Sequence, residues 1–82
     1  MPYYFVFWNY EPGGNVEHIA DNDLTQDDVE SVLFDPDERG VSRSSGEEVV
    51  FGEIADGRYI MVVFERISSM ELNPITAYEV DR

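Results

Sequence analysis

At 82 residues the chain is long enough for one domain, residues 1–82, and no more. It has no cysteine, which excludes disulfides and thiolate metal sites, and its 43% hydrophobic and 13% aromatic content excludes a disordered chain. Eighteen Asp and Glu against five Arg, with no Lys, give a formal charge of −13, a field that repels nucleic acid and anionic membranes at ordinary salt.

The charge is also lopsided. Residues 1–38 hold ten acids and no Arg, whereas residues 39–82 hold eight acids and all five Arg. Two explanations stand side by side. The acidic half is a surface for a basic partner, or the whole proteome is acidic in a salt-loaded cytoplasm. In molar salt the Debye length shrinks to about 3 Å and the repulsion is screened.

In chain order, Tyr3–Trp8 is an unbroken aromatic and β-branched run that predicts a strand covered on both faces. Pro12-Gly13-Gly14 marks a loop, and Asn15–Asp21 reads as a short helix with Val16, Ile19 and Ala20 on one side and Asn15 or Gly14 near its cap. Thr25 caps a second helix, with Asp27 and Asp28 at the positive end of its dipole and Val29, Val32 and Leu33 as its apolar stripe. Asp35-Pro36 ends that helix. Strands are then expected over Gly40–Arg43, Glu48–Ile54, Arg58–Arg66 and Ile75–Val80. Gly52 suggests a bulge, Asp56-Gly57 a type I′ hairpin, and Pro74 the start of the last strand or a sheet edge. The run Ile60–Phe64, apolar on both faces, places its strand centrally. The resulting expectation is an α+β fold, two N-terminal helices packed on one face of a mostly antiparallel four- to five-stranded sheet.

The opening Met1-Pro2-Tyr3-Tyr4-Phe5 lacks a basic region and a small-residue cleavage site. The longest apolar runs, Tyr3–Trp8 and Tyr59–Phe64, fall far short of the roughly 20 residues that cross a bilayer. A soluble, cytoplasmic protein with no membrane partner is expected. A homo-oligomer stays open, through apolar area at Tyr3–Trp8 and at the edge near Pro74.

Four residues carry chemistry worth weighing. His18 titrates near neutrality when unperturbed, but no second His or Cys completes a metal set, so no metal or cofactor is expected; packing or capping is its plainer role. Arg43-Ser44-Ser45-Gly46 has the ingredients of an anion cradle, against the plainer reading of a solvated hairpin tip, and Arg39 and Arg43 at i, i+4 would share a strand face. Arg58, with Arg66 at the other end of the central strand, invites ordinary pairing with Glu53 or Glu65. Tyr78 on the last strand can donate or accept a proton, though an amphipathic strand Tyr is the commoner case. Nucleophile and phosphate-loop signatures are absent.

Taken together, Trp8, then Asn15-Val16-Glu17-His18-Ile19, then Leu24-Thr25-Gln26-Asp27-Asp28-Val29 through Asp35-Pro36 resembles the BrnT family of small toxins. Arg43, Gly57-Arg58-Tyr59-Ile60, Val62-Val63-Phe64-Glu65 and Ile75-Thr76-Ala77-Tyr78-Glu79 extend the resemblance over nearly the whole chain. It implies a RelE/ParE-like fold and a toxin-like component of a type II toxin–antitoxin system, a metal-independent ribonuclease that inhibits translation and is held by a small DNA-binding antitoxin. In that case RNA is the substrate, the 2′-OH attacks the adjacent phosphate, and His18, Arg43, Arg58 and Tyr78 are the positions that take the acid, base and charge-stabilising parts. The rival expectation is a catalytically inert acidic protein-binding module on the same fold, using its acidic helical face. The charge of −13 favours the rival.

Overall fold

A computed structural model of the protein describes residues 4–81. Its elements run β1 (Phe5–Val6), α1 (Asn15–Asp21), α2 (Gln26–Phe34), β2 (Glu38–Val41), β3 (Glu48–Glu53), β4 (Tyr59–Ser68) and β5 (Glu71–Glu79). The five strands form one open sheet in the order β1-β5-β4-β3-β2, antiparallel throughout except for the parallel β1–β5 pair. The fold is therefore α+β with two helices and a mostly antiparallel sheet, as expected, and β4 is its middle strand.

Each helix forms where local chemistry favours it. In α2, Thr25 Oγ1 accepts from the Asp28 amide at 3.1 Å while Asp28 Oδ2 accepts from the Thr25 amide at 3.0 Å, a complete capping box. Asp27 and Asp28 lie in the first turn, and Asp35-Pro36 follows the last helical residue. Val29, Val32 and Leu33 are buried, joining Ile19 of α1 and Leu24 against Val50, Ile60, Val62, Phe64, Leu72 and Ala77 of the sheet. One layer of helix thus covers one face of the sheet. Ala20, placed on the apolar side of α1 by its spacing, is exposed; Ile19 alone of that trio is fully buried.

Several local expectations are overturned. Tyr3 lies outside the described residues. From Tyr4 to Trp8 the chain alternates, with Tyr4, Val6 and Trp8 packed on the core and Phe5 61% exposed, because β1 is an edge strand with a helix layer on one side only. The second strand begins at Glu38 and ends at Val41, so Arg43 stands in the turn beyond it and does not share a strand face with Arg39. Gly52 pairs with Ile60 in an unbroken β3–β4 register; its missing side chain makes room for Val32, whose γ-methyls would sit 3.2 Å from a Cβ there. At Asp56-Gly57 only Gly57 has positive φ, at 95°. Gly57 donates to the Ile54 carbonyl and Ile54 donates to the Arg58 carbonyl, each at 2.9 Å, which makes a three-residue loop ending in a left-handed glycine instead of a type I′ turn. Asp56 is held at negative φ while its Oδ1 accepts from the Arg58 amide at 3.0 Å.

Pro74 is neither at a strand start nor on an edge. It is buried within β5, opposite Phe64, where the register with β4 shifts by a residue. On its other side β1 has already ended, and the side chain of Asn15, only 7% exposed, takes the place of a strand. Asn15 Nδ2 donates to the carbonyls of Pro74 at 2.8 Å and Phe7 at 2.9 Å, and Oδ1 accepts from the Asn9 amide at 2.8 Å. Asn15→Ala strands two carbonyls and an amide and is expected to cost roughly 3 kcal/mol in urea unfolding. Asn15→Asp is expected to be worse at neutral pH and to recover partly in acid, where a protonated carboxyl again supplies a donor.

Candidate functional site

His18 lies on the exposed side of α1, at the rim of a shallow cleft formed by Asn9, Gly13, Gly14, Asn15, Asn73, Pro74 and Ile75. Its Nδ1 stands 3.4 Å from the Ile75 carbonyl, a long contact at the bulge of β5. The helix brings it there because Asn15 fixes the first turn to β5 and His18 follows one turn later.

Arg58 is committed to local structure. Its Nε donates to Asp56 Oδ2 at 2.8 Å, and Nη2 donates to the Asp23 carbonyl at 2.9 Å just past the end of α1. The Arg58 amide and guanidinium hold the Asp56 carboxyl below its ordinary range, and Asp56 with Asp23 and Asp28 raises Arg58 further. Arg58 therefore latches the β3–β4 loop to the helical layer.

Arg43 projects from the turn between β2 and β3, which is closed by Ser42 donating to the Glu47 carbonyl at 2.8 Å and Gly46 donating to the Ser42 carbonyl at 2.9 Å. The Ser42 and Ser44 hydroxyls are 3.2 Å apart. No ion pair among the described residues engages Arg43. Tyr78, 39% exposed, lies opposite Met61 on the sheet face that the helices do not cover.

These four residues are not brought together. Arg43 and Arg58 flank opposite ends of β3, a strand of six residues that spans roughly 20 Å. His18 sits on the helical side of the sheet and Tyr78 on the other. Among the described residues no group of three or more His, Asp or Glu is placed to hold a metal, and no helix is long and apolar enough to cross a membrane.

Two features were missed by sequence reasoning. The cap was expected at Asn15 or Gly14, and Gly14 is the N-cap; what was missed is that Asn15 turns inward. The signal for this was the neighbouring Gly14, where a Cβ would come within 2.5 Å of the Asn9 carbonyl oxygen; only glycine admits that approach. The second is the outer face of the sheet. There Val49 and Val63 are nearly buried without a covering layer, Phe51 stacks on Tyr59 at 6.4 Å, and Met61 is half-buried between them. The alternation of Val49, Phe51, Glu53 with Tyr59, Met61, Val63 was visible in the sequence, but the run also fitted a strand covered on both sides.

No protein-family model matches the chain, and no curated protein or solved structure matches it significantly.

Arg66 completes the charged framework. Its Nε and Nη2 donate to the two oxygens of Glu48 at 2.8 and 3.2 Å, and the guanidinium lies 5.8 Å from the ring centres of Tyr4 and Phe64. This fork lowers the Glu48 carboxyl below 4.5. A depressed carboxyl contributes stability that is fully present above the unfolded value and is lost as pH falls through the folded one. Glu48→Gln is therefore expected to lower the urea midpoint at neutral pH by the equivalent of less than about 1 kcal/mol, since both partners are partly exposed. The difference from wild type should vanish in acid below that range.

Proposed function

We propose that this domain is a catalytically inert, acidic protein-binding module whose partner is a small basic protein. One observation carries the reading: the residues that would have to share a phosphodiester-cleaving site lie at opposite ends of one strand and on opposite faces of the sheet. A transferring proton and a developing phosphate charge need groups within hydrogen-bond reach of one reacting atom. Arg58, moreover, is neutralised by Asp56 and held to the Asp23 carbonyl, which leaves it poorly placed to grip phosphate. The charge of −13 with no Lys supports a basic protein as partner over RNA.

A RelE/ParE-like scaffold is supported by the order of elements, a strand and two helices ahead of four antiparallel strands. The second reading, a BrnT-like toxin that cleaves RNA and is held by an antitoxin, is favoured by the motif order from Trp8 to Glu79. Both readings assign a small protein partner; they differ in whether the domain acts on RNA.

Induction of the protein in cells separates them. Growth is expected to continue unchanged with wild type and with an Arg43→Ala, Arg58→Ala variant, and purified protein is expected to leave single-stranded RNA intact. Growth arrest by the wild type alone, with RNA cleavage in vitro, would establish the toxin reading and remove this one.

A further inference from the structure

The helices cover one face of the sheet, and the other face is apolar. Antiparallel sheets with one solvated face ordinarily alternate apolar inward and polar outward. Here the outward positions of the three inner strands carry Val49 and Phe51 on β3, Tyr59, Met61 and Val63 on β4, and Thr76 and Tyr78 on β5. Their registers place Val49 beside Val63, Phe51 beside Met61, and Met61 beside Tyr78. The surface continues past the strand ends, where Ile67, 51% exposed, borders a hollow with Phe7, and Phe7 meets Phe5 edge to face at 4.8 Å. Glu65 opposite Asn73 separates that extension from the band proper, which runs from Phe51 and Tyr59 to Val63; an apolar band of this kind on a small domain marks a docking surface.

The charges around the band identify its occupant. Among the described residues, strand positions pointing to this face carry Glu38 and Glu53 at one end and Glu65 and Glu71 at the other, and no Arg. Arg39 and Arg66 alternate to the helical side, and Arg58 is drawn there by the Asp23 carbonyl. A second copy of the chain is disfavoured as occupant, because a two-fold contact would set these carboxylates against their own copies. RNA is disfavoured for the same reason of sign. From Tyr59, opposite Glu53, to Glu65 is a stretch of β4 roughly 20 Å long, which matches about 13 residues of helix at 1.5 Å each.

We infer that the uncovered face of the sheet is the docking surface for a basic amphipathic helix of a protein partner, apolar stripe on Phe51 and Met61, with Lys or Arg near both ends meeting Glu38 at one end and Glu65 at the other. The inference rests on the binding-module reading and replaces the acidic helical face with the opposite one. Phe51 and Met61 supply the large, half-buried anchors that dominate such contacts, and the carboxylates set polarity and on-rate.

The test uses two labelled synthetic peptides of the same length and apolar stripe, one with Lys and one with Glu on its polar face, and a single-stranded RNA. Fluorescence anisotropy on the full chain is expected to show the Lys peptide binding and the Glu peptide and RNA not binding. Glu38→Lys with Glu65→Lys, both at exposed positions, is expected to weaken the Lys peptide about tenfold or more and to admit the Glu peptide. Asp21→Lys with Asp27→Lys changes the net charge equally on the helical side and is expected to leave the affinity within about twofold. In NMR the Met61 methyl should shift on titration while that of Ala20, exposed on α1 on the helical side, should not. Failure of the Lys peptide to bind, equal loss in both double variants, a still Met61 methyl, or self-association of the free chain through this face would each overturn the inference. Loss confined to the helical-side variant would overturn it while leaving the binding-module reading intact; binding and cleavage of the RNA would overturn both.

Discussion

The architecture depends on a single buried amide. Where β1 ends, β5 continues, and the carbonyls of Phe7 and Pro74 would be left facing each other across a gap. Asn15 fills it with two donated hydrogen bonds and accepts a third from Asn9, so three separated segments share one side chain. Asn15 is also the first residue of α1, and its seat fixes where the helical layer starts. Unlike an apolar contact, this arrangement has one geometry that satisfies every group, and a shift by one residue would leave buried polar atoms unpaired. Gly14 serves the same joint, since any side chain there would strike the backbone at Asn9.

From that joint the two helices cross the sheet on one side only, linking one edge strand, β1, to the other, β2. The loop after α1 is tied down twice, by Asn22 Nδ2 donating to the Ala77 carbonyl at 2.9 Å and by Arg58 reaching the Asp23 carbonyl. Two arginines are thus spent on holding layers together: Arg58 joins hairpin to helix, and Arg66 spans from Glu48 to the aromatic rings beneath it. Both act in geometry that anchors the fold, which is why arginines clustered in the second half of the chain do not assemble into one site.

What was legible in the sequence follows from how local the cause is. The second helix could be read closely, because Thr25, Asp28, the spacing of Val29, Val32 and Leu33, and Pro36 are all short-range signals. The centrality of β4 was legible from its unbroken apolar run. The errors lie where a tertiary neighbour decides the outcome. Gly52 accommodates Val32 from another element, Pro74 is admitted to the interior of a sheet because β1 stops short and Asn15 replaces it, and Asp56 keeps negative φ because its carboxylate is held by Arg58. For the candidate site, sequence order placed His18, Arg43, Arg58 and Tyr78 on plausible elements, but only the registers of β2–β5 separate them by strand end and by face.

The placement of carboxylates also bears on the two explanations of the charge. Acidity acquired only to keep a protein hydrated in concentrated salt has no reason to avoid one face of a sheet or to leave its centre apolar. Among the described strand positions of the outer face, charge is limited to Glu38, Glu53, Glu65 and Glu71 around a band of Val, Phe, Met and Tyr. A two-fold meeting of such faces would bring like charges together, so the rim opposes self-association of the band it encloses. The exposed edge strand β2, with Glu38 and Arg39 on it, limits edge-to-edge pairing in the same way. A band protected against its own kind, yet left apolar on a domain with little core to spare, costs the free chain solvation free energy. A partner bringing the opposite charge would remove that cost and gain the rim, which general acidity alone does not explain.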